Sequence, residues 1–175
     1  VIGIYGLPIG IATNFVINDK EVLVPMVIEE ASVIAGASLA AKLARSGGGF
    51  YAETTSNEMI GQMQVLELDN IEDAKSKLLS NKDVILNSVK DLDPVLSSLG
   101  GGVRDLEVRV VHESKIGAFI IVHVIYDTCD AMGANAVNTA VEYLQPIIED
   151  LVGGRVHLRI LSNLADRRLA RASVN

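Results

Sequence analysis

The strongest chemical signal in the sequence is the stretch Asp130-Ala131-Met132-Gly133-Ala134-Asn135. It sits where a strand-like apolar run, 118–126, gives way to a helical run, 131–150. Asp130 is a good helix N-cap, because its carboxylate can accept from the unpaired N–H groups of the first turn. A helix N-terminus carries about +0.5 charge and points free amides outward, an arrangement suited to a phosphate. Gly133, expected inside that first turn, removes a side chain where another group must come close. An ordinary capped helix that contains a glycine fits the same residues, and both readings stand at this point.

Other residues carry chemistry more conditionally. Glu29 and Glu30 end an apolar run and precede Ala31-Ser32 at the start of a helix of small residues. A carboxylate there is commonly a partner for the helix dipole. Proton donation near neutral pH would require burial to outweigh that dipole and any nearby cations. Gly100-Gly101-Gly102 follows Lys90-Asp91-Leu92-Asp93-Pro94. Alone the glycines read as a loop; beside a helix N-terminus they could let backbone amides approach a phosphate. Asp91 and Asp93 read as an acidic helix start or turn before Pro94. His112, His123 and His157 fall in expected strands without metal-ligand spacing and read as structural, so no metal site is expected. Cys129 reads as a small packing residue, and residues 166–171 as a solvated helix face.

Composition narrows the classes. A chain of 175 residues can bury one good core or two small ones. Hydrophobic residues make up 49%, yet no apolar run approaches membrane-spanning length, so no membrane partner is expected. The net charge of −7 argues against a nucleic-acid partner. With one cysteine and no visible signal peptide, a cytoplasmic location is expected. Both ends read as interrupted: the chain opens on Val1 in an apolar run and closes mid-pattern at Asn175.

The elements that must position these residues follow from periodicity. Residues 15–17 and 22–28 flank Asn18-Asp19 and predict a hairpin, with Pro25 on an edge strand. The small-residue helix is expected to be buried against another element. Ser46-Gly47-Gly48-Gly49 is expected to be a loop at a domain boundary. Beyond it come a strand at 59–68 and a helical stretch at 71–89 broken near Asn81. Strands at 104–112 and 118–126, the helix 131–150 closed by Gly153-Gly154, and a strand at 156–161 complete the series. The order β-α-β-β-α-β predicts an α+β, ferredoxin-like domain: one antiparallel sheet with helices on one face. No G-x-G-x-x-G is present, and a doubly wound sheet is not expected.

Four stretches together resemble one family in matching order: Val27-Ile28-Glu29-Glu30-Ala31-Ser32-Val33, Ser98-Leu99-Gly100-Gly101-Gly102, Asp130-Ala131-Met132-Gly133-Ala134-Asn135 and residues 158–166. They are similar to the class II, bacterial and archaeal, hydroxymethylglutaryl-CoA reductases, and the similarity runs from end to end. The resemblance implies residues 1–56 as part of a large α/β substrate-binding domain. It implies an inserted dinucleotide-binding domain at 57–162 and a return into the large domain at 163–175.

The resemblance also implies roles. Glu30 is assigned as the catalytic acid that protonates the mevaldyl stage, and Ser32 as a contact to the substrate's carboxylate end. Ala31 stands where the family usually has Pro. Asp130, Ala131, Met132, Gly133 and Asn135 belong to the dinucleotide-binding motif. Asn163 is a candidate contact near the nicotinamide end. Asp93, counted back from the glycines, falls on the ribose-binding position, with Asp91 as the alternative. A carboxylate there implies NADH over NADPH. The implied reaction takes hydroxymethylglutaryl-CoA to mevalonate and CoA by two hydride transfers, in a homodimer or higher homo-oligomer. The lysine, aspartate and histidine of the family mechanism are not found in these residues, so the chain alone is expected to be inactive. A competing reading is a non-catalytic ferredoxin-like module that binds a small metabolite or regulates a partner.

Overall fold

The computed structural model describes residues 1–175. The chain runs β1 (Ile9–Ile17), β2 (Lys20–Val27), α1 (Ala31–Arg45), β3 (Phe50–Thr54), β4 (Glu58–Leu66), α2 (Ile71–Ser80) and α3 (Lys82–Val89). It continues through α4 (Pro94–Ser98), β5 (Gly102–Val111), β6 (Phe119–Asp127), α5 (Ala134–Val152), β7 (Arg155–Leu161) and β8 (Ala170–Val174). The class is mixed α+β with two separate four-stranded sheets. Two compact units result: residues 1–54 with 170–175, and residues 55–169. The divisions fall after Thr54 and Leu169, so residues 163–169, expected in the return segment, stay with the second unit.

The first unit holds the sheet β2-β1-β3-β8. Asn18 and Asp19 both adopt positive φ, 49° and 64°, the conformation a two-residue hairpin needs to match strand twist. Asn18 also brackets Ala52, donating to its carbonyl and accepting from its N–H, each at 2.8 Å. Pro25 lies on the edge strand β2, where its missing N–H costs no ladder bond. Helix α1 packs on β1 through its small residues: Gly10 meets Ile34, and Ala12 and Ala41 are buried. The rest of α1 is largely exposed, so the helix is not sunk among other elements as its composition suggested. The Gly47–49 loop is not a domain boundary either. Gly49, at φ 88°, presses on Val16 so closely that a Cβ would lie 2.5 Å from its carbonyl oxygen. That contact makes the loop a tight turn inside the unit.

The second unit holds the sheet β5-β6-β4-β7 with every pairing antiparallel. Asn81 splits the helical stretch 71–89 into α2 and α3. Helices α2, α3 and α5 contact one another and the sheet, so they share one face. Alternation places Met63, Val65, Leu106, Ile120, Val122 and Val124 on that face, packed with Leu78, Ile85, Leu144 and Ile148. Gly61 lets α5 close on β4: a Cβ there would stand 2.6 Å from Val141 and 3.0 Å from Val137. Gly153, at φ 73°, ends α5 by donating to Glu149 O at 2.9 Å.

Leu106 is 1% exposed at the centre of this core. In the full-length protein Leu106→Ala should lower unfolding stability by about 3 kcal/mol, the usual cost of a cavity of that size. The half-exposed Leu158 should cost well under about 1 kcal/mol on the same change. Denaturant titration of both variants checks the contrast, and equal losses would place Leu106 outside the core.

Candidate functional site

The loop between β6 and α5 does not follow the capping pattern expected of Asp130. Helix α5 begins at Ala134, and its N-cap is Gly133 in the left-handed region, φ 90°, with no side-chain cap bond. Asp130 lies upstream in a turn closed by Ala131 N–H to Thr128 O at 3.0 Å, with Cys129 also left-handed at φ 49°. The sharp turn wins over the local capping preference because Gly133 seats against the sheet. A Cβ on Gly133 would stand 2.5 Å from Thr128 Cγ2 and 2.6 Å from Met59 Sδ. The group that comes close to this glycine is therefore the protein itself. With no side-chain cap, the backbone N–H groups of Met132 to Ala136 have no acceptor within the chain. Asn135 is exposed on the first turn of α5.

The glycine loop reaches the same place. Gly101 lies so near Cys129 that a Cβ would meet its Sγ at 2.8 Å. Arg104 donates to Gly100 O and, at 2.9 Å, to Asp127 Oδ2, while Asp127 Oδ1 accepts from Cys129 N–H at 2.9 Å. One carboxylate thus ties the glycine loop to the loop before α5. The Arg104 hydrogen bond, outweighing partial burial, holds the Asp127 carboxyl below its usual range.

Asp93 borders the resulting cleft on both sides. A cavity of about 400 Å³ lies between α4 and the loop, lined by Asp93, Leu96, Leu99, Cys129, Asp130 and Ala131 among others. A second, of about 300 Å³, is lined by Asp93, Tyr126, Asn135, Ala136 and Thr139 with Leu92 and Pro94. Asp93 caps α4, its Oδ1 accepting from Leu96 N–H at 2.9 Å, which leaves Oδ2 for another donor. Asp91 is exposed and lines neither cavity. Burial first, and then the Asp93 charge, push the Tyr126 phenol above its ordinary pKa, so it stays a protonated O–H beside the cleft.

The remaining expected site residues do not line these cavities. Glu30 and Ser32 belong to the first unit, where Ser32 Oγ donates to Glu30 Oε1 at 2.6 Å. Both are exposed, and the apolar surroundings that an acid role requires are not found within this unit. Asn163 is exposed in the strandless segment after β7. Sequence reasoning missed the separate contacts of two adjacent arginines, of which Arg168 reaches the loop before α5. The segment 166–169 forms no helix, contrary to expectation. Arg167 pairs with Glu107 and, at 3.7 Å, with Glu58. Arg168 turns to the loop before α5, with its Nη2 3.1 Å from Ala131 O. No local pattern marks these contacts, because the partners lie far away in the sequence.

The Arg104–Asp127 tie makes a pH prediction. The folded pKa of Asp127 is lowered, so its stabilisation is present above the ordinary carboxylate pKa of about 3.9. It is lost as pH falls through the lower folded value. Arg104→Met should therefore destabilise the protein at pH 7 by less than about 1 kcal/mol, since the pair is partly exposed. The gap between variant and parent should close below about pH 4 in thermal melts. A gap independent of pH would assign the effect to lost packing.

Comparison with known proteins adds three findings. The family model for hydroxymethylglutaryl-coenzyme A reductase matches residues 1–175. The 3-hydroxy-3-methylglutaryl-coenzyme A reductase of Archaeoglobus fulgidus is 54% identical over 172 residues, covering 98% of this chain and 39% of that protein. A class II reductase structure from Streptococcus pneumoniae, described as bound to NADPH in open conformations, superposes with a TM-score of 0.93 at 37% identity. It covers 99% of this chain and 42% of that one. This chain thus spans about two fifths of the length of its archaeal relative. Matched along its whole length in sequence and in fold, the chain belongs to the hydroxymethylglutaryl-coenzyme A reductase family.

Proposed function

We propose that the full-length protein reduces hydroxymethylglutaryl-CoA to mevalonate and CoA, with residues 55–169 binding the nicotinamide dinucleotide. The observation that carries the reading is the run of uncommitted N–H groups from Met132 to Ala136 beside the Asp93 cleft. These donors fit a pyrophosphate, since backbone amides at a helix start combine hydrogen bonds with the dipole. When bound, a reduced dinucleotide would supply one hydride, so the two transfers would take two dinucleotide molecules in succession. The chain's own residues would bind and orient it: the amides of Met132, Gly133 and Asn135 would hold the phosphates, and Asp93 Oδ2 would accept from the ribose. Asp130 and Ala131 wall the same cleft. Asn163 is assigned to the nicotinamide end by resemblance.

Glu30 is proposed as the acid of the mevaldyl stage, with Ser32 at the substrate's carboxylate end. The 2.6 Å bond from Ser32 orients the Glu30 carboxyl. Proton donation by Glu30 needs a drier setting than the first unit alone provides. No helix is long and apolar enough to cross a membrane. A cytoplasmic setting is proposed from the single cysteine, and a homodimer or higher homo-oligomer from the family resemblance. The regulatory-module alternative has no observation in its favour.

In the full-length enzyme Glu30→Gln should lower kcat by about a hundredfold or more, the range of a lost general acid. KM for the thioester should change far less. Full activity in that variant would move the acid elsewhere.

The cofactor's ribose gives a second test. Asp93 favours a 2′-hydroxyl over a 2′-phosphate by charge, whereas the streptococcal relative is described with NADPH, which weighs against an NADH preference. The reading is therefore a nicotinamide dinucleotide of either kind, with Asp93 as a discriminating residue. Asp93→Asn keeps the oxygen that caps α4 and removes the charge. Relief of like-charge repulsion should shift the kcat/KM ratio toward NADPH by about tenfold. An unchanged ratio would take Asp93 out of the site.

A further inference from the structure

Arg168 makes contacts that a solvated surface cation would not. Its Nη2 donates to Ala131 O at 3.1 Å; its Nη1 lies 3.2 Å from Thr128 Oγ1, 3.5 Å from Met132 O and 3.4 Å from Met59 Sδ. Thr128 is fully buried, and its hydroxyl donates to Asn57 O at 3.3 Å, which leaves the oxygen free to accept from Arg168. The groups it holds include the very side chains, Thr128 and Met59, against which Gly133 is seated. The start of the loop is also held by the Cys129 N–H bond to Asp127 and the Thr128 N–H bond to Asn57 O. Beyond it, Asp130, Ala131 and Met132 are exposed, and one turn bond, Ala131 N–H to Thr128 O, closes the turn.

We propose that Arg168 is a positioning residue for the dinucleotide site, acting through the backbone of the loop before α5. In a planar trans peptide the N–H points away from the C=O. Drawing the carbonyls of Ala131 and Met132 toward Arg168 therefore turns the N–H groups of Met132 and Gly133 away from it. The amides that follow, of Ala134, Asn135 and Ala136, likewise make no hydrogen bond within the chain. A loop already ordered in this way loses less entropy when ligand binds, so affinity depends on the clamp. The planar fork of arginine reaches two carbonyls and a hydroxyl together, which a lysine ammonium on its flexible stem does not reproduce. The inference rests on the reading of residues 55–169 as the dinucleotide unit.

The test uses the full-length enzyme, with NADH and NADPH binding followed by fluorescence and with steady-state kinetics. The parent must bind a dinucleotide; if it binds neither, the assignment of the unit fails, whatever Arg168 does. Given binding by the parent, Arg168→Ala should raise the dinucleotide Kd by about tenfold or more, with KM for the thioester changed less than about twofold. Added guanidinium at millimolar concentration should restore part of the lost affinity, which a global folding defect would not allow. Arg168→Lys keeps the charge and the fold, and should still bind several-fold more weakly than the parent. Parent-like binding by the lysine variant, or by the alanine variant where it folds, overturns the clamp.

Discussion

The start of α5 depends on a contact rather than on a cap. Gly133 takes a left-handed conformation and lies against Thr128 and Met59 at distances no other residue's Cβ could share. Thr128 is wholly buried at the end of β6, so the helix start is set by the sheet. A capping aspartate at this point would have consumed a first-turn N–H. Because Gly133 sets the turn by shape alone, the amides from Met132 onward stay available. Farther along the helix Gly61 allows a separate close approach, of β4 to Val137 and Val141.

An acidic chain that is to hold an anionic ligand must place its cations individually. The net charge of −7 offers no general attraction. Arg104 offsets Asp127 while joining the glycine loop to the α5 loop. Arg168 meets only neutral acceptors there, so it adds positive charge without a carboxylate partner of its own. Arg167, next in sequence, instead meets Glu107 and Glu58. Two adjacent arginines therefore meet different partners: one pairs with acidic residues on the sheet, and the other bonds carbonyls of the loop before α5.

Much of the architecture was legible in the residue order. Alternation in β5 and the apolar run of β6 are local patterns, as are the Asn18-Asp19 turn and the break at Asn81. Together they determined the β-α-β-β-α-β series and its antiparallel sheet, because period and turn chemistry need only near neighbours. The motif Asp130 to Asn135 and the Asp93–Pro94 turn were likewise visible, and the tertiary structure brings both to one cleft.

Tertiary structure alone decided how those residues are used. Asp130 has the local preference of a cap, yet the packing of Gly133 on Thr128 and Met59 moved the helix start past it. Gly47–49 has the composition of a linker, yet Gly49 is pressed on Val16 within one unit. Arg168 has the composition of a solvated face, yet its acceptors lie 36 to 40 residues away at 128–132 and farther still at Met59. In each case local propensity is worth about 1 kcal/mol or less, and a close-packed contact between distant segments overrides it. The sequence by itself therefore determined the order of the main elements between 58 and 161, while β3, α4 and β8 escaped it; which atoms are left uncommitted was settled by contacts that only the folded chain contains.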